Sequence, residues 1–162
     1  MENEIIYDTA NKEDIDELVR LRIAYMIDDF GSITDYEKEA MEKQLPDFFQ
    51  RKLGTELVAF VARDAMDEKK LVSVAYLLIM EKPANPFFPN GLDSEVLSVY
   101  TEEEYRGKGI CTQLMKNLVE YAKEKEVCRI DLIATEDGYP IYKKIGFEDK
   151  VSKYHDMRMK LI

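Results

Sequence analysis

Residues Glu95–Thr112 read EVLSVYTEEEYRGKGICT: a β-branched and aromatic run, then a glycine-rich, locally basic turn, then the start of a helix. The helix is predicted from Gly109 to about Glu126, because Leu114, Met115, Leu118, Val119 and Ala122 fall on one face at helical spacing. Gly107 and Gly109 let the backbone approach a ligand closely and take angles that a side chain forbids. The first-turn amides of the helix have no partner inside it and stand at the positive end of its dipole, an arrangement that binds phosphate. Arg106 and Lys108 add positive charge at the same spot. Two other phosphate loops are excluded by inspection. No GxxxxGK[ST] string occurs, and a dinucleotide fingerprint needs a third glycine where Thr112 stands. What is left is Arg-x-x-Gly-x-(Gly or Ala), met by Arg106 and Gly109 with Cys111 in the last small position.

Upstream of this stretch, Ile5–Thr9 reads as a strand, and Asn11 with Asp14 as a helix cap with an acidic first turn. Ile15, Leu18, Val19, Arg22 and Met26 follow at helical spacing until Gly31. Thr34 and Glu37 form a capping-box pattern that opens a second helix to about Leu53, which Pro46 is expected to kink or split. Glu56–Arg63 and Leu71–Met80 are β-rich runs joined through Asp64–Lys70 as a hairpin. Lys82–Asn90 holds three of the five prolines and reads as a surface loop carrying Phe87 and Phe88, exposed or packed on a partner, rings that would suit a homodimer contact. Downstream, Arg129–Ala134 reads as a strand, Ile141–Ile145 as a short helix closed by Gly146, and Val151–Ile162 as an alternating final strand that includes His155. The order of elements predicts a mixed α/β sheet with one strand–helix–strand crossover over residues 95–134.

Composition bounds the rest. With no linker, repeat or low-complexity tract, the 162 residues read as one domain, 1–162, and 46% apolar content supports a real core. A balance of 23 basic against 33 acidic residues gives −10, which argues against nucleic acid or an anionic membrane as the partner. Cys111, Cys128 and His155 supply neither a zinc site nor a disulfide framework. No signal-like leader or long apolar run occurs, so a soluble, cytoplasmic protein is expected.

At the loop YRGKGICTQLM the chain resembles the acetyl-coenzyme A loop of the GNAT superfamily of N-acetyltransferases. The strand ending Val99-Tyr100-Thr101, the strand RIDLIA and the segment PIYKKIGFE follow that family's order and spacing over roughly residues 94–149. The resemblance implies a mixed, mostly antiparallel twisted sheet flanked by helices, with a central β-loop-α cofactor motif. It implies that the backbone of Val99, Tyr100 and Thr101 pairs with the pantetheine arm of acetyl-coenzyme A, and that the amides of Arg106, Gly107, Lys108, Gly109, Ile110, Cys111 and Thr112 hold the pyrophosphate. Tyr142, four residues before Gly146-Phe147, matches the tyrosine that in many members lies near the cofactor sulfur, where its phenol can protonate the departing thiolate. Two positions depart from the family pattern: Cys111 is bulkier than glycine, and Glu136 stands where many members have asparagine.

The reaction so implied is transfer of an acetyl group to a primary amine of a small molecule or peptide, with no metal. The amine must lose a proton before it attacks, and Glu95 is the first candidate base, ahead of Glu136. Cys111 reads as a packed residue at a helix start, a position that can lower a thiol pKa. Arg22, Tyr25, Met26 and the segment 33–53 would flank the acceptor cleft, and the acid excess suits a cationic acceptor. The alternative is a non-catalytic acyl-coenzyme A sensor or partner-binding module of the same fold.

Overall fold

The computed structural model describes residues 4–162. Strand β1 (Ile5–Thr9) leads into a 3-10 turn whose cap is Asn11: its side chain accepts from the Glu13 amide while Asp14 reaches back to the Asn11 amide. Helix α1 (Ile15–Phe30) follows at once and ends at Gly31. Helix α2 (Asp35–Lys52) opens on the Thr34–Glu37 capping box. It is not split at Pro46. Leu45 and Phe49 are buried on either side of the proline, and the carbonyl that loses its donor, on Glu42, lies on the exposed face where water serves it.

Strands β2 (Leu57–Asp64), β3 (Asp67–Glu81) and β4 (Leu92–Thr101) then form an antiparallel meander with β1 on its outer edge, and β5 (Ile130–Asp131) adds parallel to β4. The sheet is therefore mixed and mostly antiparallel, as expected. Every residue of β2 is buried, because both faces are covered. One face packs Leu57, Val74 and Tyr76 under α1 and α2. The other packs Phe60, Ala75, Leu77 and Val96 under α3 (Ile110–Glu124), whose Leu114, Met115 and Leu118 are fully buried, with Tyr142 from α4 (Tyr139–Ile145).

The feature that positions the site is a bulge in β4. Val99 pairs with Ala75 and Val96 with Leu77, so Leu97 and Ser98 together oppose Tyr76 alone. One extra residue bends the strand and ends its pairing on the far side. Beyond Ser94 and Glu95, which pair with Ile130 and Asp131, β4 and β5 part, and Val96–Thr101 keep an edge with no strand beside it among the described residues.

Below the split the two strands are tied by Asp93, 1% exposed. Its carboxylate accepts from Arg129 Nε at 3.0 Å and Nη2 at 3.1 Å, from Lys82 Nζ at 2.9 Å and from the Ser94 amide at 2.9 Å. Burial works to raise the Asp93 pKa, but the bonds from Arg129, Lys82 and Ser94 outweigh it and hold the group at about 2 against an ordinary 3.8. A depressed carboxyl stabilises the fold above its unfolded pKa, so this contribution is complete above about pH 4 and is lost as pH falls toward about 2. Asp93→Asn is expected to cost about 2 kcal/mol at pH 7, since both cations keep access to water, and to flatten the loss of stability between pH 4 and pH 2 in urea titrations.

Three expectations are corrected. Phe88 is buried, with the Arg129 guanidinium 4.8 Å from its ring centre, so only Phe87 stands out from the proline-rich loop. The strand expected over Arg129–Ala134 is regular at Ile130–Asp131 alone, because β4 has turned away beyond that point. Val151–Ile162, His155 included, forms no strand: its alternation is real, but no neighbouring strand among the described residues offers it a ladder.

Candidate active site at the split between β4 and β5

Helix α3 begins where two glycines turn the chain, Gly107 at φ +74° and Gly109 at φ +78°, angles that ordinary side chains resist. Gln113 is the first residue whose amide reaches back across the start, to the Gly109 carbonyl at 3.1 Å. The amides of Ile110, Cys111 and Thr112 have no acceptor among the described residues and point out of the positive end of the helix. Arg106 fastens the loop to the end of β4, donating from Nε to the Thr101 carbonyl at 2.8 Å, with its Nη2 3.3 Å from Asp28.

The β4 edge, this loop, Tyr25 of α1 and Tyr142 of α4 enclose a cavity of about 640 Å³. Val99, Tyr100, Thr101, Arg106, Gly107, Gly109, Ile110, Cys111 and Thr112 all line it. Lys108 does not: its ammonium lies 5.5 Å from the Tyr105 ring centre instead. A free strand edge running into unpaired helix amides fits the extended amide arm and the phosphates of a coenzyme A thioester.

Tyr142 is 8% exposed and its hydroxyl makes no hydrogen bond among the described residues. Its ring stands edge-on to Phe147 at 6.1 Å, and a Cβ at Gly138 would come within 2.7 Å of Cε2, so glycine is required there for the ring to seat. Burial, aided by the neighbouring Cys111 and Tyr25, pushes the phenol well above its ordinary pKa and keeps it protonated. Burial likewise pushes the Cys111 thiol up to about 11. The helix start therefore does not activate this cysteine, which is packed and protonated.

Glu95 lies outside the donor cavity. It shares with Tyr142 a groove of about 570 Å³ along β5, so the tyrosine stands where groove and donor cavity meet. Glu136 is exposed and lines neither. A third cavity, of about 170 Å³, lies on the α2 side of the bulge, with Arg22, Tyr76 and Ser98 set among Leu45, Phe48 and Phe49. Gly138, Thr135 and Asp28 belong to the donor cavity although the sequence pattern does not single them out. For Gly138 a signal existed: it precedes Tyr142 by one helical turn.

Residues 32–147 match the family model described as the acetyltransferase (GNAT) family. The chain belongs to the GNAT family. Among solved structures, this GNAT protein is similar to a predicted acetyltransferase of Clostridium acetobutylicum determined with acetyl-CoA, 29% identical with 96% of each chain covered and a TM-score of 0.82. It has the fold of a GCN5-related N-acetyltransferase from Ralstonia eutropha JMP134, at 19% identity, with 95% of this chain and 99% of that one covered and a TM-score of 0.78. An uncharacterized N-acetyltransferase of Methanocaldococcus jannaschii is 30% identical over 60 residues, which is 35% of this chain and 26% of the relative, so the match spans about a quarter of that protein. Among the described residues, no cluster of three or more His, Cys, Asp or Glu is placed to hold a metal, and no helix is long and apolar enough to cross a membrane.

Proposed function

We propose that this GNAT protein transfers the acetyl group of acetyl-coenzyme A directly to a primary amine of a small molecule or peptide. The observation that carries the reading is the place of Tyr142, a protonated phenol where the cavity behind the α3 amides meets the groove that holds Glu95. Acetyl-coenzyme A supplies an acetyl thioester, an electrophile with a thiol leaving group. The Ile110, Cys111 and Thr112 amides hold its phosphates, and the free edge of Val99–Thr101 takes the arm as an added strand and aims it at Tyr142. Tyr142 keeps its proton at Oη for the departing sulfur. An alkylamine with a pKa of about 10.4 arrives protonated, so a carboxylate at the groove, Glu95, takes a proton directly or through water.

Thermal shift and thiol release test this. Acetyl-coenzyme A is expected to raise the melting temperature, and a panel of amines to include acceptors that release coenzyme A. Stabilisation with no turnover across amines and peptides would make the protein a binding module instead, and no stabilisation would refute the donor site.

A further inference from the structure

Among the described residues Arg20, Arg51, Arg63, Arg106 and Arg129 each have a carboxylate partner, and Arg22 and Arg158 have none. Arg158 stands in the exposed tail, whereas Arg22 is half-buried in the wall of the cavity of about 170 Å³ on the α2 side of the β4 bulge. No acid lines that cavity, although the chain carries a net charge of −10. The guanidinium donates from Nη1 to Ser98 Oγ at 2.8 Å, and no other acceptor meets it among the described residues.

Two hydroxyls share the wall, because the bulge sets Leu97 and Ser98 together opposite Tyr76. Tyr76 is 3% exposed, its ring stacked on Phe49 with centres 5.7 Å apart, and its buried hydroxyl has no hydrogen-bond partner. Burial pushes this phenol well above its ordinary pKa while the charge of Arg22 acts the other way, so the proton stays on oxygen within reach of the guanidinium's field. Ser98 is also buried; its oxygen accepts from Arg22, and its own O–H has no acceptor among the described residues. Buried donors left unmet are costly unless a ligand answers them, and here two stand beside an unpaired cation. The remainder of the cavity, at Leu45, Phe48, Phe49 and Leu57, is apolar.

The cavity leads toward the donor. Leu97 and Ser98 also line a space of about 30 Å³ with Tyr25, Val99 and Tyr142, and those three residues line the donor cavity as well. We infer that the acceptor is a small α-amino acid, its carboxylate bonded by Arg22, Ser98 and Tyr76, its apolar side chain among Leu45, Phe48 and Phe49, and its amine toward Tyr142. This deepens the acetyl-transfer reading and rests on it. One guanidinium with two neutral hydroxyls matches a single negative charge, and arginine's planar donors suit a carboxylate. A phosphate dianion would leave a charge unanswered beside apolar walls. Because Ser98 belongs to both spaces, the amine follows the carboxylate closely, which favours the α-amino acid over one with its amine at the far end of the chain. The cationic acceptor that the composition suggested thus gains an anion of its own.

Calorimetry and thiol release test this with three probes: aliphatic α-amino acids, the alkylamines that lack their carboxylate, and ω-amino acids of the same chain length. The wild type is expected to favour the α-amino acids over the alkylamines at least ~10-fold in binding and in kcat/KM. Arg22→Met is expected to abolish that preference and Arg22→Lys to keep part of it, with acetyl-coenzyme A affinity unchanged in both, since Arg22 lines no part of the donor cavity. Tyr76→Phe removes a hydroxyl that no protein group holds. It is expected to weaken amino-acid binding by about fivefold or more while stability in urea is kept or raised, a split that a merely structural role would not produce. No carboxylate preference in the wild type, one that survives in Arg22→Met, or an ω-amino acid favoured over the α overturns the proposal. Carboxylate-dependent binding without turnover upholds the pocket and counts against transfer.

Discussion

Tyr142→Phe is expected to lower kcat by about a hundredfold or more while acetyl-coenzyme A affinity stays within about twofold. The ring is held by Gly138 and Phe147, and phenylalanine keeps both contacts. The lost hydroxyl has no hydrogen bond among the described residues, so the fold gives up nothing and stability should move by less than about 0.5 kcal/mol. What disappears is the proton kept for the leaving thiolate, a deficit felt only as the bond to sulfur breaks. The pH profile supplies a second check. Because burial holds the phenol above 10.0, wild-type kcat should rise with amine deprotonation and show no descending limb below pH 10 from this group. Weakened binding with unchanged turnover would make Tyr142 a wall of the donor cavity and leave the acid unassigned.

The parts of this site written in neighbouring residues were legible in the sequence, and those made by distant residues meeting were not. Arg106 to Thr112 suggest an anion site in seven letters, because glycines ahead of an amphipathic helix have few uses. The β4 bulge left a fainter trace. Val96 and Val99 pack on the same face though three apart, which a regular strand forbids, and only the pairing with Ala75 and Leu77 shows why. The pocket of Arg22, Tyr76 and Ser98 joins a helix to two strands, so no local spacing could announce it. The tail is the instructive failure: its alternation suggests a strand, but a strand exists only with a neighbour, and nothing within the tail's own spacing supplies one.

Gly109→Val should abolish most acetyl-coenzyme A binding, weakening it by at least ~30-fold, and a companion substitution separates this from a mere fault in a turn. At φ +78° a β-branched residue costs about 1–2 kcal/mol of backbone strain wherever it sits. Gly54 has nearly the same angle, φ +83°, at the turn between α2 and β2, and a Cβ at either glycine meets no atom within 4 Å. Gly54→Val and Gly109→Val should therefore lose similar stability in urea unfolding. They should part in ligand binding, since Gly54 lies outside the donor cavity while Gly109 lines it next to the Ile110–Thr112 amides that phosphate must approach. If both variants bound acetyl-coenzyme A like the wild type after equal destabilisation, the loop would be a tight turn with no anion to hold. If only Gly109→Val lost it, the loss would belong to the space the glycine keeps open, and a protein with a net charge of −10 would then hold a polyanion through backbone amides and one fastened arginine at a single point.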